Sequence, residues 1–341
     1  MKILFLIGNG FDLNVGLNTR YKDALGFYLQ EQKTDERIEK FQKDIKQDRN
    51  NDFKNWADFE TKLGVYTEQY NQDTVDDFCF CVKDFKSSLI KHLKNEENKI
   101  NYDLHKQEII TTCGNAITRF YKGLNSVSYD SFKSEMEKPQ HINYDFITFN
   151  YTTVFDKCLD MVKKVSNHNA IYCNIRQILH IHGKTSEHPL LGVDNAGQIT
   201  NKEFANNPKI KNLMIKPITN NKLRNSNNQA AKQLIQSSDI ICLFGLSLGE
   251  TDKTWWQQIG VRLQQSKAQL VIFARANNKD TIHADEVIEN RENIENKFCA
   301  AANIDDKIKT GLVSRIHVGL DTDLFKMNLV NDKASKMKRN D

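Results

Sequence analysis

The hydrophobic pattern begins with a continuous apolar run, Ile3-Leu4-Phe5-Leu6-Ile7, that stops at Gly8-Asn9-Gly10. A run this short, unbroken by polar residues and closed by glycines, predicts a strand buried on both faces of a parallel sheet, with the glycines turning the chain into a helix. From residue 21 to about residue 137 the period changes. Proline is missing there, and Phe53, Trp56, Phe59 and Leu63 recur at three- and four-residue intervals, as do Phe78, Val82, Phe85 and Leu89. That spacing predicts helices. Strand-type runs return at residues 144–149, 170–175, 177–181, 240–246, 269–275 and 313–318. Helices are predicted over residues 154–164 and from Trp255-Trp256 onward. Residues 195–237 are polar, rich in Asn and Lys, and hold Pro208 and Pro217; they predict a mobile or partly helical excursion able to act as a lid. Strands separated by helices predict an α/β fold with a doubly wound parallel sheet. Because no linker signal bounds the helical stretch, it reads as a large α-helical insertion after the first strand. The expected organisation is an α/β domain from residues 1–25 and 141–330, an insertion over 26–140, and a flexible tail over 331–341.

Charge and cysteines narrow the class. The 48 basic and 44 acidic residues are interspersed and leave a net charge of +4, so no strongly basic face is implied and nucleic acid is not an expected partner. The basic tail from Lys333 reads as a solvated, frayed end. The 7 cysteines lack paired spacing, and Cys79 and Cys81 stand too close for a zinc knuckle. Reduced thiols in a cytoplasmic protein are expected. The apolar run after Met1-Lys2 is too short for a secretory signal, and none approaches the roughly 20 residues of a membrane span.

Candidate chemistry gathers at strand ends. Gly8, Asn9 and Gly10 suit a backbone that approaches a phosphate, with free N–H groups at the following helix start, although the same residues also serve a tight turn that only closes a βα unit. Leu13 replaces the third glycine of the dehydrogenase fingerprint. Asn150 and Thr152 follow a buried strand, at the carboxyl edge where open α/β sheets bind ligands, and Thr152 or Thr153 also suits a helix N-cap. His180 and His182 alternate along a strand, which puts them on one face, but two histidines without a third ligand make a poor metal set. Glu60 reads as a solvent-facing helix residue rather than a site carboxylate beside Trp56.

Taken together, GNGFD at Gly8 to Asp12, TFNYT at Thr148 to Thr152, HIHG at His180 to Gly183 and GLSLGETD at Gly245 to Asp252 resemble the sirtuin-like NAD-consuming fold. Over nearly the whole chain, GNGFDLNVGL, NWADFETKLG, FITFNYTT, LHIHG and FGLSLGETDKTWW resemble the AbiH family of bacterial phage abortive-infection proteins. The resemblance implies that Gly8, Asn9 and Gly10 line phosphates, with Asp12 and Thr148 beside the nucleotide. It implies that Asn150 and His182 are the catalytic pair, and that Gly245, Ser247 and Asp252 hold the rest of the cofactor. Asp12 stands where sirtuins carry a serine, so a pyrophosphate there needs a cation or Arg20 to offset the carboxylate. The four-cysteine zinc module of protein deacetylases is missing. The implied function is a phage-defence effector that hydrolyses the nicotinamide–ribose bond of NAD without metal. Two alternatives stay open: a metal-dependent nuclease or phosphohydrolase using Asp12, His180, His182 and Asp252, and a non-catalytic nucleotide sensor. A phage-derived trigger and a second copy of the chain are the macromolecular partners left open.

Overall fold

In the computed structural model, which describes residues 1–51, 59–138, 141–166, 173–276 and 283–330, the first apolar run is β1 (Lys2–Ile7). Its side chains enter two different cores. Ile3, Phe5 and Ile7 pack with Phe120, Phe155 and Phe325 on one face, and Leu4 and Leu6 pack with Trp256, Ile259 and Leu263 on the other. Both faces are covered, which is why the run needs no alternation.

The further strands are β2 (Ile142–Thr148), β3 (Cys173–His180), β4 (Ile240–Phe244), β5 (Gln269–Ala274) and β6 (Ile316–Leu320). They form a six-stranded sheet in the order β3-β2-β1-β4-β5-β6, with every neighbouring pair parallel. The order reverses between β1 and β4, and the loops leaving their carboxyl ends flank the crevice where such sheets bind ligands.

Two strand boundaries differ from those expected. The 170–175 and 177–181 runs make one strand, β3, whose register against β2 shifts between Tyr144 and Phe146. Arg176 and Gln177 together face the single residue Asp145, so the polar break at Arg176 is a bulge rather than a gap. The last strand starts at Ile316, because residues Val313–Arg315 form a 3-10 turn from which the Arg315 guanidinium donates to the carbonyls of Leu263, Ser266 and Ala268.

Between β1 and β2 the described chain runs through helices Tyr21–Gln30, Glu36–Asn51, Phe59–Tyr66, Val75–Glu97, Lys106–Thr118 and Ser126–Met136. The first four build a separate core from Tyr28, Phe41, Phe59, Phe78 and Phe85, and the excursion after β3 joins it through Phe204, Ile210 and Met214. The last two lie against the sheet through Ile109, Ile117, Phe120 and Phe132. The excursion itself is partly helical, with helices Lys202–Asn206, Pro208–Met214, Lys216–Lys222 and Asn227–Ser237. Phe53, Trp56, residues 170–172 and the tail 331–341 lie outside the described residues. Among those described, no helix is long and apolar enough to cross a membrane, and Cys79, Cys81, Cys113, Cys158, Cys242 and Cys299 are buried free thiols.

Candidate active site

The glycines after β1 serve the sheet before they serve any ligand. Gly8 N–H donates to Phe244 O at 2.9 Å and Gly10 N–H to Gly245 O at 3.0 Å. A Cβ on Gly10 would stand 2.4 Å from Gly245 Cα, and one on Gly8 2.5 Å from Gly245 O. Gly245 itself has φ +68. Glycine is required at this junction because two backbones touch. The amides of Gly8 and Gly10 are therefore engaged by Phe244 and Gly245 at the end of β4. Asn9 is also occupied, accepting from Thr19 Oγ1 at 2.6 Å and donating to Thr19 O at 3.1 Å. Ser247 is exposed on the β4 loop.

Asp12 is 1% exposed. It accepts from Thr152 Oγ1 at 2.7 Å and from Asn150 Nδ2 at 3.1 Å. Arg20, the expected counter-charge, is exposed, and its backbone N–H donates to Asp23. Burial pushes the Asp12 carboxyl up to about 7; the hydrogen bonds from Thr152 and Asn150 oppose this, while Glu97 and Asp156 reinforce it. Asn150 is turned back over Thr148, whose Oγ1 accepts from its backbone N–H. The amide oxygen of Asn150 is buried without a hydrogen-bond partner, as is the hydroxyl of Tyr102. Burial, then the charges of Cys158, Glu97, Asp12 and Asp156, raise the Tyr102 hydroxyl above its ordinary value. Glu97 accepts from Thr153 N at 2.6 Å, Thr153 Oγ1 at 2.8 Å and Thr185 Oγ1 at 3.2 Å. Asp156 pairs with His180 Nε2 at 2.9 Å, and His180 Nδ1 lies 3.1 Å from Asn150 O.

His182 belongs to a different group. β3 ends at His180, so the two-residue period does not extend to His182, and the two rings do not share partners. His182 Nε2 lies 3.0 Å from Asp252 Oδ1, and its ring centroid is 5.4 Å from that of Phe149 and 6.3 Å from that of Tyr151. The same Asp252 oxygen takes Lys216 Nζ at 3.0 Å, and Lys216 reaches Glu60 Oε2 at 2.9 Å. Glu60 Oε1 accepts from Tyr151 OH at 3.1 Å and from Gly192 N at 3.2 Å. Burial works to raise the Asp252 carboxyl, but Lys216 and then His182 outweigh it and hold it well below the carboxylate range. Burial also works against the Lys216 charge, and Asp252 and Glu60 overcome it and raise the ammonium above its ordinary value.

Asn150 and His182 are thus not bonded to each other. Asn150 faces Asp12 and His182 faces Asp252, with residues 149–151 between them, where the Phe149 and Tyr151 rings lie against His182. Of the residues named for a metal-dependent reading, Asp12 is held by Asn150 and Thr152, His180 by Asp156, and His182 by Asp252, and among the described residues no three such side chains are grouped to hold an ion. Glu97, Asp156 and Lys216 had no signal in the sequence. Glu60 had one, its place inside NWADFETKLG, and it is 4% exposed rather than solvent-facing.

A segment running from Gly183 covers this edge. Leu190 N donates to His182 O at 2.8 Å, the Tyr151 hydroxyl shares its one proton between Leu190 O at 2.7 Å and Glu60 Oε1, and Asn220 Nδ2 donates to Ile181 O at 3.3 Å.

No curated protein and no solved structure matches the chain. Residues 4–274 match the model of a family described as bacteriophage abortive infection AbiH. The match runs from within β1 to the end of β5 and takes in both polar groups, from Asp12 and Glu60 to Asp252. By this extent of match, the chain belongs to the bacteriophage abortive infection AbiH family.

Proposed function

We propose that this protein is an abortive-infection effector that hydrolyses the nicotinamide–ribose bond of NAD or a related nucleotide, at the carboxyl edge of β1, β2 and β3. The observation that carries the reading is Asn150, anchored through Nδ2 to Asp12 while its Oδ1 is buried and unpartnered. A buried acceptor left unmade costs about 1–3 kcal/mol, and a ribose hydroxyl or a water relieves that cost. The surrounding charge supports the same reading. Departure of nicotinamide leaves positive charge on the ribose, and Glu97 and Asp156 meet no lysine or arginine among the described residues. Fixed carboxylates in a water-poor site stabilise such a charge without reorganising.

In this step the C1′–N bond breaks with its electron pair passing to nicotinamide. A water oxygen then bonds C1′, and its proton passes to His182. The contact with Asp252 assigns the ring N–H to Nε2 and leaves Nδ1 as the acceptor. Gly8, Asn9 and Gly10 shape the floor by close packing, and we assign the phosphates to the exposed Ser247 loop. Under this reading residues 1–25 and 141–330 form a sirtuin-like nucleotide domain, and the helical insertion over 26–140 delivers Glu60 and Glu97 to its edge. The fold supports it, because Asp12, Asn150 and His182 follow β1, β2 and β3 at the carboxyl edge of a parallel sheet, where such sheets bind ligands.

The test is nicotinamide release from NAD by purified protein, followed by chromatography with and without chelator and phage lysate. Asn150→Ala and His182→Ala are each expected to lower turnover by roughly 10²–10⁴-fold with the fold intact. Full activity in either variant removes that residue from the mechanism. Folded wild-type protein that releases nothing under every condition overturns NAD hydrolysis.

A further inference from the structure

We infer that Lys216 and Glu60 are positioning residues that set the charge of His182 through Asp252, so that the proton acceptor is complete only when the excursion after β3 is docked. The inference rests on the reading of His182 as the proton acceptor. Three distant segments meet at this point: Glu60 from helix Phe59–Tyr66, Lys216 from helix Lys216–Lys222, and Asp252 from the turn after β4. Lys216 and Glu60 side chains are each 5% exposed, so their charges act on one another with little screening by water. Lys216 Nζ and His182 Nε2 each sit 3.0 Å from the one oxygen Asp252 Oδ1, which keeps the two nitrogens no more than about 6 Å apart.

The sign of the effect follows from counting charges. Among the three groups in contact, Glu60 and Asp252 are negative and Lys216 is positive, so this trio presents one net negative charge to a neutral His182. The other titratable groups facing this cluster are Tyr151, whose hydroxyl is on Glu60 and is held well above its ordinary value by burial and then by Glu60, Tyr21, whose hydroxyl lies 3.5 Å from that of Tyr151, and Asp194, whose carboxyl burial raises, Lys216 lowers and Asp252 raises, and which is the same in every variant compared below. Both tyrosines are neutral near pH 7. Removing the Lys216 ammonium adds a net negative charge beside His182 and favours the imidazolium. Removing the Glu60 charge does the opposite. A side chain that served only packing would produce neither sign.

The experiment is the pH dependence of turnover, together with the NMR titration of the His182 ring in the full chain, for Lys216→Met, Glu60→Gln and the double variant. Lys216→Met is expected to move the acid limb and the ring midpoint up by about one pH unit, and Glu60→Gln to move both down by a comparable amount. The double variant restores the net charge and is expected to return towards wild type. If Lys216→Met does not fold, Glu60→Gln and the double variant carry the same comparison. Shifts of one sign in both single variants, or an unmoved ring midpoint, overturn the inference. Opposite ring shifts in a protein without NAD turnover keep the charge control and remove only the hydrolase reading.

Discussion

Asp12 concentrates the electrostatics of the site in one carboxyl group. Burial holds it up to about 7, whereas in the unfolded chain it titrates near ~3.9. The folded state therefore binds this proton more tightly. The stability so gained is complete below pH ~4 and is lost as the pH rises through about 7. Asp12→Asn keeps the shape, an acceptor for Asn150 and a donor for Thr152, but cannot ionise. In urea unfolding, the wild type is expected to lose on the order of a few kcal/mol from this group between about pH 5 and pH 8, and Asp12→Asn is expected to lose correspondingly less. A difference between the two proteins that does not change with pH would rule out the buried-carboxyl account. In the sequence Asp12 was visible as the residue out of place for a pyrophosphate. Its burial was not, because the groups that enclose it, Asn150 and Thr152, are 138 and 140 residues away.

At the scale of elements, the junction of β1 and β4 governs the edge. Glycines after an apolar strand were legible as a tight turn, and the nucleotide cradle was the competing use of the same residues. What the tertiary structure adds is the tight-turn use, since Gly8 and Gly10 direct their N–H groups to Phe244 and Gly245 at the end of β4. Gly10→Ala places a methyl 2.4 Å from Gly245 Cα, where no flexible side chain can yield. Thermal or urea unfolding is expected to register a loss of about 1–3 kcal/mol or more; unchanged stability would mean the loops part without cost. The histidines make the same point. Alternation along a strand is a sound rule for residues inside it, and it fails for His182 because β3 ends at His180.

For the whole molecule, the family match ends at residue 274, yet the core does not. Phe325, 0% exposed, brings its ring against Phe5 of β1, Phe11, Phe155 and Phe244 of β4, with centroids 5.0 to 6.5 Å away. Met327 and Leu329 follow it, with their N–H groups donating to Asn14 O and Val15 O. The C-terminal segment thus closes the face of the sheet on which Phe5, Phe11 and Phe155 pack. Phe325→Ala is expected to cost about 3–5 kcal/mol in urea unfolding. A loss under about 1 kcal/mol would mean that the segment rests on the core without completing it.

Most of the local order was legible along the chain: where strands and helices fall, apart from the bulge in β3 and the start of β6, that the sheet is parallel and buried, and that polar residues stand at strand ends. These follow from period and turn chemistry, which act over a few residues. The tertiary structure alone decided partnership. It gave Asn150 to Asp12 and His182 to Asp252, and it brought Lys216 to Glu60 across 156 residues of chain. No local pattern records such pairs, because a buried charge is stabilised by whichever opposite charge the packing delivers, and that delivery depends on how the covering helices dock on the sheet edge.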